Sequence, residues 1–181
     1  SQTCYSCGGA GEIIQKTKKK STLSVKIPAG IDHGQRLRLS GEGQPGTKNA
    51  SAGDLYVQIL VKSHEIFERD GFDVHCEVPI SFSQAALGAE LDVPTLLGKV
   101  KLAIKPGTQS GQKQRLKGKG ISRIDGRGIG DQLITIKVET PTSLTHDQKQ
   151  LFEKLAELDI KDNQSNPITK GFFEKVKTLF Q

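Results

Sequence analysis

The 181-residue sequence has no tryptophan, no methionine and only three cysteines. Three thiols allow at most one disulfide, which excludes a disulfide-stapled secreted scaffold. No apolar run approaches the ~18 residues of a membrane span, and no signal-peptide pattern opens the chain. Catalytic patterns are missing too. His33, His64, His75 and His146 are scattered, with no nucleophile elbow and no H-E-x-x-H. The glycine-rich "GEGQPG" and "GKGISRIDGRGIG" lack the Lys-Ser/Thr pair and following helix of a phosphate loop, so they read as turns. The expectation is a protein that is not an enzyme.

Hydrophobic residues make up 34% and charged residues 25% of the chain, with 20 glycines: polar and turn-rich, but within the globular range. Net charge is +6, locally dense only at Lys16-Thr17-Lys18-Lys19-Lys20. Such an excess serves solubility and attracts acidic partners, and it leaves a basic nucleic-acid-binding β-domain protein as an alternative reading. Base stacking would need aromatics among the basic residues. The two Tyr and seven Phe are few, and the phenylalanines mostly sit on apolar stripes.

A repeat organises the chain. Gly30, Gly34, Gly41 and Gly43 recur as Gly107, Gly111, Gly118 and Gly120, each 77 positions on. Gln35/Gln112, Leu39/Leu116 and Gly53-Asp54/Gly130-Asp131 keep the same offset. One supersecondary unit therefore occurs twice. Leu23, Val25 and Ile27 alternate with polar residues, as do Leu55, Val57, Ile59 and Val61, which predicts half-buried strands. Between the copies, Val74, Cys76, Val78 and Ile80 share one strand face, so Cys76 reads as a small core residue. A short helical turn over 83–87 and a hairpin around Leu97-Gly98 follow. The predicted fold is mainly β: two tandem small antiparallel β-sandwich domains of duplicated topology, followed by C-terminal helices. Thr145 and Gln148 form a capping-box start for the first of these helices. The last carries Phe172, Phe173, Val176, Leu179 and Phe180 along one stripe.

The most specific chemical motif stands first. Cys4 and Cys7 begin a C-x-x-C-x-G-x-G pattern, a knuckle that offers two thiolates from one tight turn. Zinc takes four ligands, and a buried Cys76 cannot supply the others. They are expected upstream or in another chain, and a chain that opens inside such a motif reads as a fragment.

"CYSCGGAG", "TLSVKIPAGIDHGQRLRLSGEGQPG", "VPISFSQAALGAELDVPTLLGKVKL" and "FFEKVKTLF" together resemble the class A J-domain proteins, the DnaJ co-chaperones of bacterial type. The resemblance is collinear over essentially the whole chain. It implies that 1–15 end a zinc-binding cysteine-rich region, that 16–66 complete a first C-terminal domain, that 67–160 are a second domain with its helix, and that 161–181 are a linker and dimerisation helix. Cys4 and Cys7 would be half of one zinc site. The implied partners are unfolded polypeptide clients, a DnaK-type ATP-dependent chaperone and a second copy of the chain, in the cytoplasm; no membrane is expected, and nucleic acid stays with the alternative reading. The "HPD" tripeptide of the J-domain does not occur, so stimulation of the partner's ATPase is not expected of this chain alone. The family's client groove maps onto Leu23 and Val57, with Leu55 and Phe67 as neighbours. Two readings stay open for Leu23 and Val57, ordinary strand core or groove. Two also stay open for the stripe of Phe172, Phe173, Val176, Leu179 and Phe180, which either folds back on its own domain or meets a second copy. Thiol–disulfide exchange through Cys4 and Cys7, implied by activity credited to class A members, has no support from the residues themselves.

Overall fold

The computed structural model describes Tyr5 and residues 20–46, 50–161 and 166–179. Within them the chain order is β1 (Arg36–Leu39), β2 (Leu55–Gln58), β3 (Glu68–Asp70), β4 (Asp73–Ser81), α1 (Phe82–Leu87), β5 (Ala89–Thr95), β6 (Gly98–Ile104), β7 (Lys113–Leu116), β8 (Gln132–Glu139), α2 (His146–Lys161) and α3 (Pro167–Leu179). The protein is mainly β with C-terminal helices, as the sequence predicts.

The duplication holds down to single hydrogen bonds. β1 pairs with β2 in the register Arg36↔Gln58 to Leu39↔Leu55, and β7 pairs with β8 in the register Lys113↔Thr135 to Leu116↔Gln132, each residue displaced by the 77-position offset. The Gly34 N–H donates to the Ile59 carbonyl at 2.8 Å, and the Gly111 N–H to the Ile136 carbonyl at 2.7 Å. Where the two strands part into the glycine-rich loop, an aspartate anchors the turn. Asp54 Oδ1 accepts from the Gly41 N–H at 3.1 Å, and Asp131 Oδ1 from the Gly118 N–H at 2.8 Å. The penultimate residue of each first strand, an arginine, pairs with the same carboxylate: Arg38 with Asp54 at 2.7 Å, and Arg115 with Asp131 at 3.6 Å. The "GD" dipeptide of each copy is therefore a loop closure, which is why it recurs.

Two expectations need correction. The strands are not all antiparallel: β4 runs parallel to β8 over Val74↔Gln132 to Ser81↔Glu139, at the centre of the sheet ordered β3-β4-β8-β7. Alternating apolar residues report which face is buried, not which way a neighbour runs, so the pattern could not reveal this. The stretch 20–28, with Leu23, Val25 and Ile27, forms no strand. Its counterpart by the offset is β6, which takes its ladder from β5; the residues matching β5 are 12–18, outside those described.

The second copy holds the core. Val93 from β5, with Leu102 and Ile104 from β6, packs with Cys76 and Ile80 of β4 and with Ile134 and Ile136 of β8. The last two are 0% exposed. The β5–β6 hairpin turns at Leu96-Leu97, one residue earlier than its sequence suggests. α1 starts on a capping box, with the Gln84 N–H on Ser81 Oγ and the Ser81 N–H on Gln84 Oε1. The predicted box of α2 is also present: the Thr145 N–H meets Gln148 Oε1 at 2.9 Å, and the Gln148 N–H meets Thr145 Oγ1 at 3.3 Å. α3 opens on Pro167, where a missing N–H costs the helix nothing.

Because Ile134 is enclosed and its counterpart Val57 only half-buried, Ile134→Ala is expected to lower unfolding free energy by about 2–5 kcal/mol. Val57→Ala should cost distinctly less. Urea denaturation of both variants checks this, and equal losses would contradict the asymmetry between copies.

Candidate functional site

Position by position, the two copies differ in one consistent way. Ile134 and Ile136 are buried in the second copy, while their counterparts Val57 and Ile59 are only half-buried. Ile104 is buried, but its counterpart Ile27 is 57% exposed. Leu23 is 37% exposed, on the irregular stretch before the first turn. Beyond β2, Leu60 and Val61 are exposed as well. Among the described residues β2 pairs only with β1, whereas β8 is paired on both edges. Among the described residues, the first copy thus presents strand-patterned apolar side chains beside a four-residue ladder.

The four residues assigned to the groove are not all neighbours. Leu55 and Val57 share one face of β2, opposite Leu39 and Leu37 of β1. Leu23 lies on the unpaired stretch. Phe67 sits elsewhere. It packs against the core of the second copy, and its ring lies 5.0 Å from that of His64. With Val61, Val74, Leu96 and Ile121, Phe67 lines a cavity of about 520 Å³ between the copies. The sequence reading did not pick out Val61, Leu96 or Ile121 for this cavity. One signal was available, since Leu96-Leu97 occupies a hairpin turn where polar residues are usual.

The helices carry a second apolar surface. Phe152 of α2 faces Phe82 of α1 with ring centroids 6.0 Å apart, and Leu87, Leu151 and Leu155 line the groove beside them. On α3, Phe172 and Phe173 meet edge to face at 5.5 Å; both are exposed, as is Leu179, and Val176 is half-buried. Phe180 lies outside the described residues. No residue of α3 is buried in the single chain. No helix among the described residues is long and apolar enough to cross a membrane.

Cys4 and Cys7, and the lysines at 16, 18 and 19, also lie outside the described residues. Among those described, no group of three or more His, Cys, Asp or Glu side chains is placed to hold a metal ion. Cys76 is free and buried, as its strand position predicts. Its Sγ accepts from Gln132 Nε2 at 3.2 Å, and the same amide donates to the Pro94 carbonyl at 2.9 Å. Burial pushes the thiol pKa up and the Gln132 hydrogen bond opposes this in part. A thiol held protonated is neither a zinc ligand nor a nucleophile at neutral pH.

Comparison with known proteins follows the whole chain. The family model described as DnaJ C terminal domain matches residues 7–141, and the one described as Chaperone protein DnaJ C-terminal region matches 147–181. The chain is 49% identical over 180 residues to a Chaperone protein DnaJ of Parageobacillus thermoglucosidasius, covering 99% of this chain and 46% of that protein. It is also 49% identical to the protein of that name from Bacillus licheniformis, covering 99% and 50% respectively. The same identity holds over 179 residues, 99% of this chain and 47% of the relative, for the one from Neisseria meningitidis serogroup B. The chain spans about half the length of the curated relatives it matches.

The raised pKa makes a kinetic expectation for Cys76. In the native protein, peptide mapping after brief iodoacetamide treatment at neutral pH should find Cys76 essentially unmodified, with labelling rising on unfolding. Rapid native labelling of Cys76 would refute its enclosure.

Proposed function

Because this chain belongs to the DnaJ C-terminal domain family, we propose that it is the client-holding and dimerising part of a J-domain co-chaperone, without enzymatic activity of its own. The observation that carries this reading is the asymmetry between the copies. One copy of the repeat closes a core. Among the described residues, the other leaves the equivalent apolar positions half-buried or exposed beside a strand paired on one edge. A non-native polypeptide offers the complement of that surface, namely unburied apolar side chains and backbone amides with no partner.

Leu23, Leu55 and Val57 form the assigned client surface, with Phe67 contributing from the cavity between the copies. Burying one client Leu or Phe there contributes roughly 1.5–3 kcal/mol, which suits reversible holding over tight capture. The stripe of Phe172, Phe173, Val176, Leu179 and Phe180 meets its equivalent in a second copy. The resulting dimer presents two client surfaces, and linkage raises the apparent affinity for a long unfolded chain through effective concentration. Cys4 and Cys7 contribute two of the four thiolates of a zinc site, whose metal would tie down the start of the first copy. In the longer protein, held clients pass to a DnaK-type ATP-dependent chaperone in the cytoplasm. The basic excess serves solubility, and nucleic acid is not a partner.

Anisotropy of a labelled apolar peptide tests the surface. Leu23→Asp and Val57→Asp should each weaken binding by about tenfold, corresponding to ~1.4 kcal/mol. Unchanged affinity in variants that fold would move the groove elsewhere. Raising salt should leave peptide affinity nearly constant; a steep fall would instead indicate a phosphate-backbone ligand. Shortening the chain to end at Gln164 should convert a dimer to a monomer in light scattering, and a dimer that survives the truncation would remove the α3 stripe from the contact.

A further inference from the structure

The two copies meet through loops, and one side chain spans the meeting point. Arg69 of β3 belongs to the second copy, and its Nε donates to the Gly71 carbonyl in its own β3–β4 turn at 2.8 Å. That bond orients the guanidinium plane. The remaining two nitrogens reach into the first copy: Nη1 donates to the Ile31 carbonyl at 2.8 Å, and Nη2 to the Gly30 carbonyl at 3.0 Å. Asp32 Oδ1 stands 3.7 Å from Nη2. Ile31 is the one hydrophobic residue of the first copy that is buried among those described.

The turn that Arg69 grips also abuts the second copy. Gly30 has φ +84°, and a Cβ built there would collide with the Ser122 carbonyl oxygen and approach the Ile124 nitrogen at 3.5 Å. Its counterpart Gly107 has nearly the same backbone, φ +78°, yet a Cβ there would meet nothing within 4 Å. The same turn thus serves as a contact in one copy and as an open turn in the other.

We propose that Arg69 and the Gly30 turn form a pinned joint that fixes the orientation of the first copy relative to the second. Arg69 is its positioning residue. Three donors in one rigid fork, satisfied by backbone carbonyls on two elements, define a direction as well as a distance. A lysine at this place would keep the charge near Asp32 but offers a point donor that cannot hold three carbonyls in a plane. The joint is a property of the free protein and does not depend on client binding.

Residual dipolar couplings of the full chain test it, since they report the orientation of each copy and, within each copy, whether it is still folded. In the wild type one alignment tensor should fit both copies. Gly107→Ala, which strains an equivalent turn without touching the joint, should keep that common tensor. Arg69→Ala, Arg69→Lys and Gly30→Ala should each lose it, giving two tensors of unequal magnitude while couplings within the second copy still fit its own structure. Should Gly30→Ala disturb the first copy internally, Arg69→Ala decides, because it leaves both turns unaltered. A single tensor retained in Arg69→Ala overturns the joint. Retention in Arg69→Lys alone overturns the three-donor fork and leaves charge as the cause.

Discussion

A strand gripped on both edges is the constraint on which this structure depends. β8 takes β7 antiparallel on one side and β4 parallel on the other. With both ladders complete, its inward side chains Ile134 and Ile136 are sealed under the β5–β6 hairpin. β2 repeats β8 residue for residue against β1, but it carries no second neighbour among the described residues. By the 77-position offset the counterpart of β4 would end at residue 4, outside the described residues, and within those described Val57 and Ile59 are half-buried. Among the described residues, then, the central strand of the second copy is paired on both edges and its equivalent in the first copy on one.

A protein that displays apolar surface must limit association with itself, and the edges show how. β1 and β7 end their sheets, and both carry outward basic residues, Arg36 and Arg38 on one and Lys113 and Arg115 on the other. Charges on an edge strand discourage pairing with an identical edge. Part of the basic excess has this local use, with no need for a nucleic-acid partner. The inner arginine of each pair also closes the glycine-rich loop through Asp54 or Asp131. Charge protection and loop closure are combined in one residue.

Much of this was legible in the residues. Glycines recurring at one offset fix turn positions, and those turns set the strand registers. The second copy's loop follows the first because the same Gly-Asp closure is written in both. Cys76 was readable as core from its alternation with polar neighbours, and both ends of the Thr145–Gln148 box were readable from type and spacing alone. The residues given to the client surface were less legible. Leu55 and Val57 share a face because any strand has period two, but Phe67 was grouped with them and lies against the other copy's core. Alternation tells which face of a strand is apolar. It does not tell which body that face meets.

The sequence by itself determined the duplication, the glycine turns, the apolar faces of β2 and β4 and the start of α2, because each is a local consequence of residue type and spacing. Only the tertiary structure decided that β4 joins β8 in parallel and that 20–28 stays out of a ladder. It also decided that Arg69 reaches across to Gly30 and Ile31. These are meetings between segments distant in the chain, and no local preference for conformation contains the identity of the partner.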